Sequence, residues 1–156
     1  MREITDYAYQ NTFSIDGGDF ESAGKASIEI KNVLKSLEIS NDTLRRAAVA
    51  VYESELNIIS YAKNGKINLS VTDDKILISV DDEGPGIEDI ELAMQEGYST
   101  ATDRIREMGF GAGMGLHNIK GCSDELNITS EVNKGTHLSI VINRKGKEQD
   151  DSGLSG

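Results

Sequence analysis

A chain of 156 residues is long enough to bury a core as one domain, and 37% hydrophobic with 28% charged residues suits a globular protein. The net charge of −11, with no cluster of Lys and Arg, argues against a nucleic-acid partner. A single cysteine, Cys122, excludes an internal disulfide and a cysteine-based zinc site; with no apolar run long enough to span a membrane and no apolar leader in "MREITDYAYQ", the chain reads as cytoplasmic, with no membrane partner.

Thr5, Tyr7, Tyr9, Phe13 and Ile15 share odd-numbered positions, which predicts one or two strands. "DGGD" at 16–19 breaks that pattern, and Asp19 is placed to cap a helix over roughly 20–38. Along it Phe20, Ala23, Ser27, Ile30, Leu34 and Leu37 recur at helical steps. "SND" at 40–42 starts a second helix over 43–62, apolar around enough of its circumference to pack on two sides. Ile67, Leu69, Val71 and Ile76, Ile78, Val80 then alternate on either side of "TDDK", the pattern of an antiparallel pair. The polar, glycine-rich stretch from Asp81 to Met108 holds a short helix at 88–95, and another helix runs from Leu116 to about Asp124. Leu126, Ile128 and Val132, the turn "NKG" and then Leu138, Ile140 and Ile142 form a second hairpin. Residues 144–156 read as a disordered tail. Hairpins clustered with helices, without βαβ alternation, predict an α+β fold with helices on one face of a sheet.

Three segments carry chemistry. In "MGFGAGMGLHN" at 108–118, Gly109, Gly111, Gly113 and Gly115 fall at every second residue. That spacing fits neither the dinucleotide fingerprint nor the P-loop, yet the loop feeds a helix start whose N–H groups suit an anion. In "DDEGPGIED" at 81–89, Asp82 ends a strand where a carboxylate can accept from a ligand amino group, and Gly84 and Gly86 let a flat ring approach the backbone. On the second helix Glu53 and Asn57 are four apart and share a face roughly opposite the stripe Leu44, Ala48, Val51, Ile58, Ala62. A carboxylate beside an amide can take a proton and offer oxygen to Mg²⁺. Glu55 falls on the apolar stripe, without explanation at this level, and points away from Glu53.

Together the segments Glu53-x-x-x-Asn57, Asp82-x-Gly84-x-Gly86 and Gly111-x-Gly113-x-Gly115-Leu116 resemble the N, G1 and G2 boxes of the GHKL ATPase superfamily. Within it, "DDEGPGIEDIELAMQEGYST", "GFGAGMGL" and "NIISYAKNGKI" resemble the small bacterial regulatory serine kinases of the RsbT, RsbW and SpoIIAB type, the RsbT pattern most of all. The resemblance covers about residues 2–143. It implies a two-layer sandwich of a mixed, largely antiparallel sheet covered on one face by about three helices. It makes residues 1–143 the ATP-binding kinase domain.

The same resemblance implies ATP and Mg²⁺ as cofactors. Adenine falls to Asp82, with Gly84, Gly86, Ile87 and Thr136 in support, and Asn57 falls to Mg²⁺. The phosphates fall to Gly111, Gly113, Met114, Gly115 and Leu116, with Ser99 and Thr100 from a lid at 97–114. Glu53 becomes the general base for a Ser or Thr hydroxyl on a STAS-domain antagonist. The alternative it leaves open is an ATP-gated protein that sequesters or activates a sigma factor or phosphatase with little catalysis. Several relatives of this type dimerise, so a homodimer is also open. Arg104 and Arg106 read as solvated lid charges, His117 as a helix-surface residue and Cys122 as a small core residue. Two departures from the RsbT pattern stand out: a longer "ATDRIREM", and "GLHNIKG" at 115–121 in place of Gly-Leu-Pro-Gly.

Overall fold

The computed structural model describes residues 9–95 and 115–144. The chain begins with β1 (Tyr9–Asp16), a 3₁₀ turn (Phe20–Ser22), α1 (Lys25–Ser36) and α2 (Asn41–Tyr61). It continues through β2 (Asn64–Val71), β3 (Lys75–Asp82), α3 (Ile90–Ala93), α4 (Gly115–Cys122), β4 (Glu125–Glu131) and β5 (Gly135–Asn143).

The strands lie in the order β1-β2-β3-β5-β4, and every neighbouring pair is antiparallel. The expected mixed sheet is therefore corrected: among the described residues the sheet is antiparallel throughout. The reason lies in the connections. Two helices separate β1 from β2, so the chain returns to the end it left, where Gly17 and Gly18 bond to Lys63 and Ile59. The other neighbours β2–β3 and β4–β5 are hairpins, and β5 docks between β3 and β4.

Strict alternation sends Ile67, Leu69 and Val71, Ile76, Ile78 and Val80, and Leu138, Ile140 and Ile142 to one face, where all are buried. Ile30 and Leu34 of α1, Val51 and Ile58 of α2 and Ile119 of α4 close over that face with no exposure. Burying each such aliphatic side chain contributes about 1.5–3 kcal/mol. The other sheet face presents Thr12, Asn68, Ser79 and Ser139, exposed or half-buried. This is the α+β architecture that the hairpin-and-helix order predicts.

The helix expected over 20–38 is interrupted. Asp19 makes no side-chain cap, and Gly24 takes φ 97° before α1 begins at Lys25. The cap for α1 comes from elsewhere in the chain, as described below. By contrast, Ser40 caps α2 by accepting from the Thr43 N–H, and Asp89 caps α3 by accepting from the Leu92 N–H at 3.0 Å. Val132, read as part of β4, lies beyond the strand and is exposed. Arg144, read as the start of the tail, donates its N–H to Asp74 at 2.8 Å and its guanidinium to Thr72. The remaining tail positions lie outside the described residues.

Candidate functional site

The polar face of α2 is where the first group assembles. Glu53 is half-buried, and its Oε2 accepts from Asn118 Nδ2 of α4 at 3.0 Å. One turn on, Asn57 faces Gly115, the first residue of α4. A Cβ on Gly115 would stand 3.0 Å from Asn57 Oδ1 and 3.3 Å from its Nδ2. So α4 runs along α2 with Gly115 opposite Asn57 and Asn118 opposite Glu53. Both pairs obey helical spacing, three apart on α4 and four apart on α2. The fully buried Ile119 holds this register, with Leu116 packed against the core. His117 is exposed, in keeping with a helix-surface position.

Glu55 finds its explanation here. It is 1% exposed, and its carboxylate accepts from the Ala26 N–H at 3.1 Å and the Ser27 N–H at 3.4 Å. It caps the N-terminus of α1, where Gly24 offers no side chain of its own. Burial pushes the carboxyl above its ordinary value, and the N–H groups of Ala26, Ser27, Gly24 and Lys25 partly oppose that shift. Glu55 therefore faces α1, while Glu53 and Asn57 face α4.

The second group forms around the end of β3. Asp82 continues the inward phase of Ile76, Ile78 and Val80 and is half-buried. Its Oδ1 accepts from the N–H of Thr136, its register partner on β5, at 3.2 Å. Burial raises the Asp82 carboxyl, the Thr136 and Gly84 N–H groups lower it, and the neighbouring Asp81 charge raises it again, leaving a net upward shift. A Cβ on Gly84 would lie 3.1 Å from Asp82 Oδ1 and 3.3 Å from Ala62, the C-cap of α2. Gly86 sits at φ 78°, where a Cβ would strike Glu131 O at 2.4 Å. The turn 83–87 is stapled to the β4–β5 hairpin. Asn133 donates its N–H to Pro85 O at 2.7 Å and Ile87 donates its N–H to Ser130 Oγ at 2.8 Å. Ser130 Oγ in turn meets Thr136 Oγ1 at 2.9 Å. An open cleft of about 590 Å³ borders this turn, between Tyr61 and Lys63 on one side and Asn133 and Lys134 on the other.

The structure thus gathers Asp82, Gly84, Gly86, Ile87 and Thr136 into one group, and Glu53, Asn57 and Gly115 into another. Gly84 lies against Ala62 at the end of α2, the helix that carries Glu53 and Asn57. Leu116 spends its side chain on the core. Ser99, Thr100, Gly111, Gly113 and Met114, and with them the lid and its arginines, lie outside the described residues.

Sequence reading missed Asn118, Ser130 and Glu55 as partners. For Asn118 the only signal is its place three after Gly115, a polar residue between Leu116 and Ile119. For Ser130 it is the inward phase set by Leu126 and Ile128.

The donor set fits a magnesium nucleotide. Among the described residues no group of three or more His, Cys, Asp or Glu could hold a metal. Asn57 Oδ1 is a neutral oxygen of the kind that Mg²⁺ takes alongside phosphate and water oxygens. Gly86 marks a place where the backbone must stay bare, and at Gly84 and Gly115 an added Cβ would crowd Asp82 and Asn57.

A family model for the histidine kinase-, DNA gyrase B- and HSP90-like ATPases matches residues 42–146, from the start of α2 to just past β5. The serine/threonine-protein kinase RsbT of Bacillus subtilis is 31% identical over 115 residues, spanning 71% of this chain and 80% of that protein. An anti-sigma F factor of Clostridium kluyveri is 30% identical over 136 residues, 83% of this chain and 92% of that protein. Among solved structures, the SiaB–SiaC complex from Pseudomonas aeruginosa shares the fold, with a TM-score of 0.60 at 14% identity, covering 90% of this chain and 92% of that one.

Proposed function

The chain belongs to the histidine kinase-, DNA gyrase B- and HSP90-like ATPases, and from that premise we propose a regulatory serine/threonine protein kinase. It transfers the ATP γ-phosphate to a Ser or Thr of a STAS-domain antagonist, and it works in the cytoplasm. The carrying observation is the α2 face on which Glu53 and Asn57 stand one turn apart and both meet α4. The likeness to RsbT, a named serine/threonine-protein kinase, supports the reading. No helix among the described residues is long and apolar enough to cross a membrane.

Each residue then has a task. The Asp82 carboxylate accepts from the adenine amino group while Thr136 and Gly84 hold it in place. Gly86 and Ile87, pinned through Glu131 and Ser130, shape the wall beside the ring. Asn57 would offer its amide oxygen to Mg²⁺, which would supply positive charge to offset that of the phosphates. Gly115 and Leu116, opening α4, turn first-turn N–H groups toward the phosphates, joined by Gly111, Gly113 and Met114 and by Ser99 and Thr100 of the lid. Glu53 takes the proton of the attacking hydroxyl as its oxygen bonds to the γ-phosphorus. The bond to the bridging oxygen breaks, and ADP leaves.

The test is to mix the protein, Mg·ATP and a STAS-domain protein and look for phosphoserine or phosphothreonine by mass spectrometry. Glu53→Gln is expected to lower transfer by about 100-fold or more, the usual scale of a general base, with ATP affinity within about twofold. The likeness to anti-sigma F factors favours a second reading, an ATP-gated protein that binds a sigma factor or phosphatase with little catalysis. Intact ATP affinity without transfer from the wild type would select it.

A further inference from the structure

Resting on the reading of Glu53 as the base, we propose that Asn118 is its positioning residue, and that α4 sets the base and the metal-binding amide together. Among the described residues Asn118 is the side chain that hydrogen-bonds Glu53, by Nδ2 to Oε2 at 3.0 Å. An ionised carboxylate only accepts, so the amide must present its NH₂ side, and the contact fixes the orientation of both groups. Glu53 keeps its other oxygen, Oε1, for the incoming hydroxyl proton. Without the amide, a glutamate on a helix surface is free to sample several rotamers, few of which aim at one point.

The placement of Asn118 is not incidental to the fold. The fully buried Ile119 fixes the rotation of α4, and Gly115 lies against Asn57 one turn earlier. One rigid helix therefore touches both functional side chains of α2. Asn118 also falls in "GLHNIKG", the stretch that departs from the RsbT pattern. Around Cys122 of α4 stand Arg45, Arg46, Asp42 and Glu53 of α2, and burial pushes the Cys122 thiol upward.

Two substitutions at Asn118 in the full chain test the assignment, with Glu53→Gln as the reference. Asn118→Ala is expected to lower kcat about 10-fold with ATP affinity within about twofold, the loss of orientation without loss of the base. Asn118→Asp sets a like charge beside Glu53, and the acid limb of the kcat–pH profile moves up by about one pH unit. A readout without nucleotide comes from NMR. The Asn118 side-chain amide resonances should move with pH across the carboxylate range in the wild type and stop doing so in Glu53→Gln. Unchanged kcat in Asn118→Ala, an unmoved acid limb in Asn118→Asp, or silent amide resonances would each overturn the proposal. So would a loss of ATP affinity that accounts for the whole drop in rate, because that marks a merely structural residue. If Glu53→Gln itself retains transfer, the base assignment falls and this inference with it. If Glu53→Gln is inactive and the Asn118 variants behave as wild type, only the inference falls.

Discussion

Asp82 accepts from the Thr136 N–H through Oδ1, and the Gly84 N–H also bonds its carboxyl. Asp82→Asn keeps the shape and the Thr136 bond but turns an acceptor into an NH₂ that opposes the adenine amino group. ATP affinity, measured by calorimetry, is expected to fall about 10- to 100-fold, equivalent to about 1.4–2.8 kcal/mol. The raised carboxyl adds a pH signature. Wild-type affinity begins to weaken on acidification at a higher pH than an ordinary aspartate would impose, and the Asn variant loses that slope. Legibility differs from one residue to the next. Glu53 and Asn57 are readable because four-residue spacing fixes a shared face. Asp82 is readable because it ends an alternating strand. Asn118 and Ser130 are not, since each depends on which element docks opposite, and spacing within one element carries no such information.

Among the elements, α1 shows most clearly where local patterning fails. Its apolar stripe is plain, and Ile30 and Leu34 are buried as that stripe requires. Its start is not plain, because Asp19 looks like a cap while the capping group is Glu55 on α2. Glu55 stands on the apolar stripe because of a long-range hydrogen-bond requirement, that of the Ala26 and Ser27 N–H groups. Glu55→Ala leaves buried N–H groups unpartnered and a small void, at an expected cost of about 2–4 kcal/mol in urea unfolding. The sign of its pH dependence follows from the raised carboxyl. The folded state holds the proton more tightly than the unfolded one, so that contribution is full below the ordinary value of 4.5 and is lost as pH rises through the folded value. The stability gap between wild type and Glu55→Ala is therefore expected to be wider on the acid side of that window and to narrow as pH rises through it.

For the whole molecule, the two hairpins and the single covered face follow from alternation and turn chemistry. The strand order does not, because the insertion of β5 between β3 and β4 is decided by packing between distant segments. That insertion is what brings Thr136 to Asp82. Mg·ATP binding to the folded state alone is expected to stabilise the protein by about 2.7 kcal/mol at a hundredfold excess over Kd. Urea midpoints with ATP and Mg²⁺, against ATP and EDTA, measure how much of that gain needs the cation at Asn57. Under the proposed reading most of it does.

The cap of α1 also bears on how the chain is made. Residues 25–36 leave the ribosome well before Glu55, and until that carboxylate arrives the first turn of the helix has only water to satisfy its N–H groups. The nascent segment therefore stays frayed until α2 has emerged behind it, and α1 and α2 are acquired together as one hairpin.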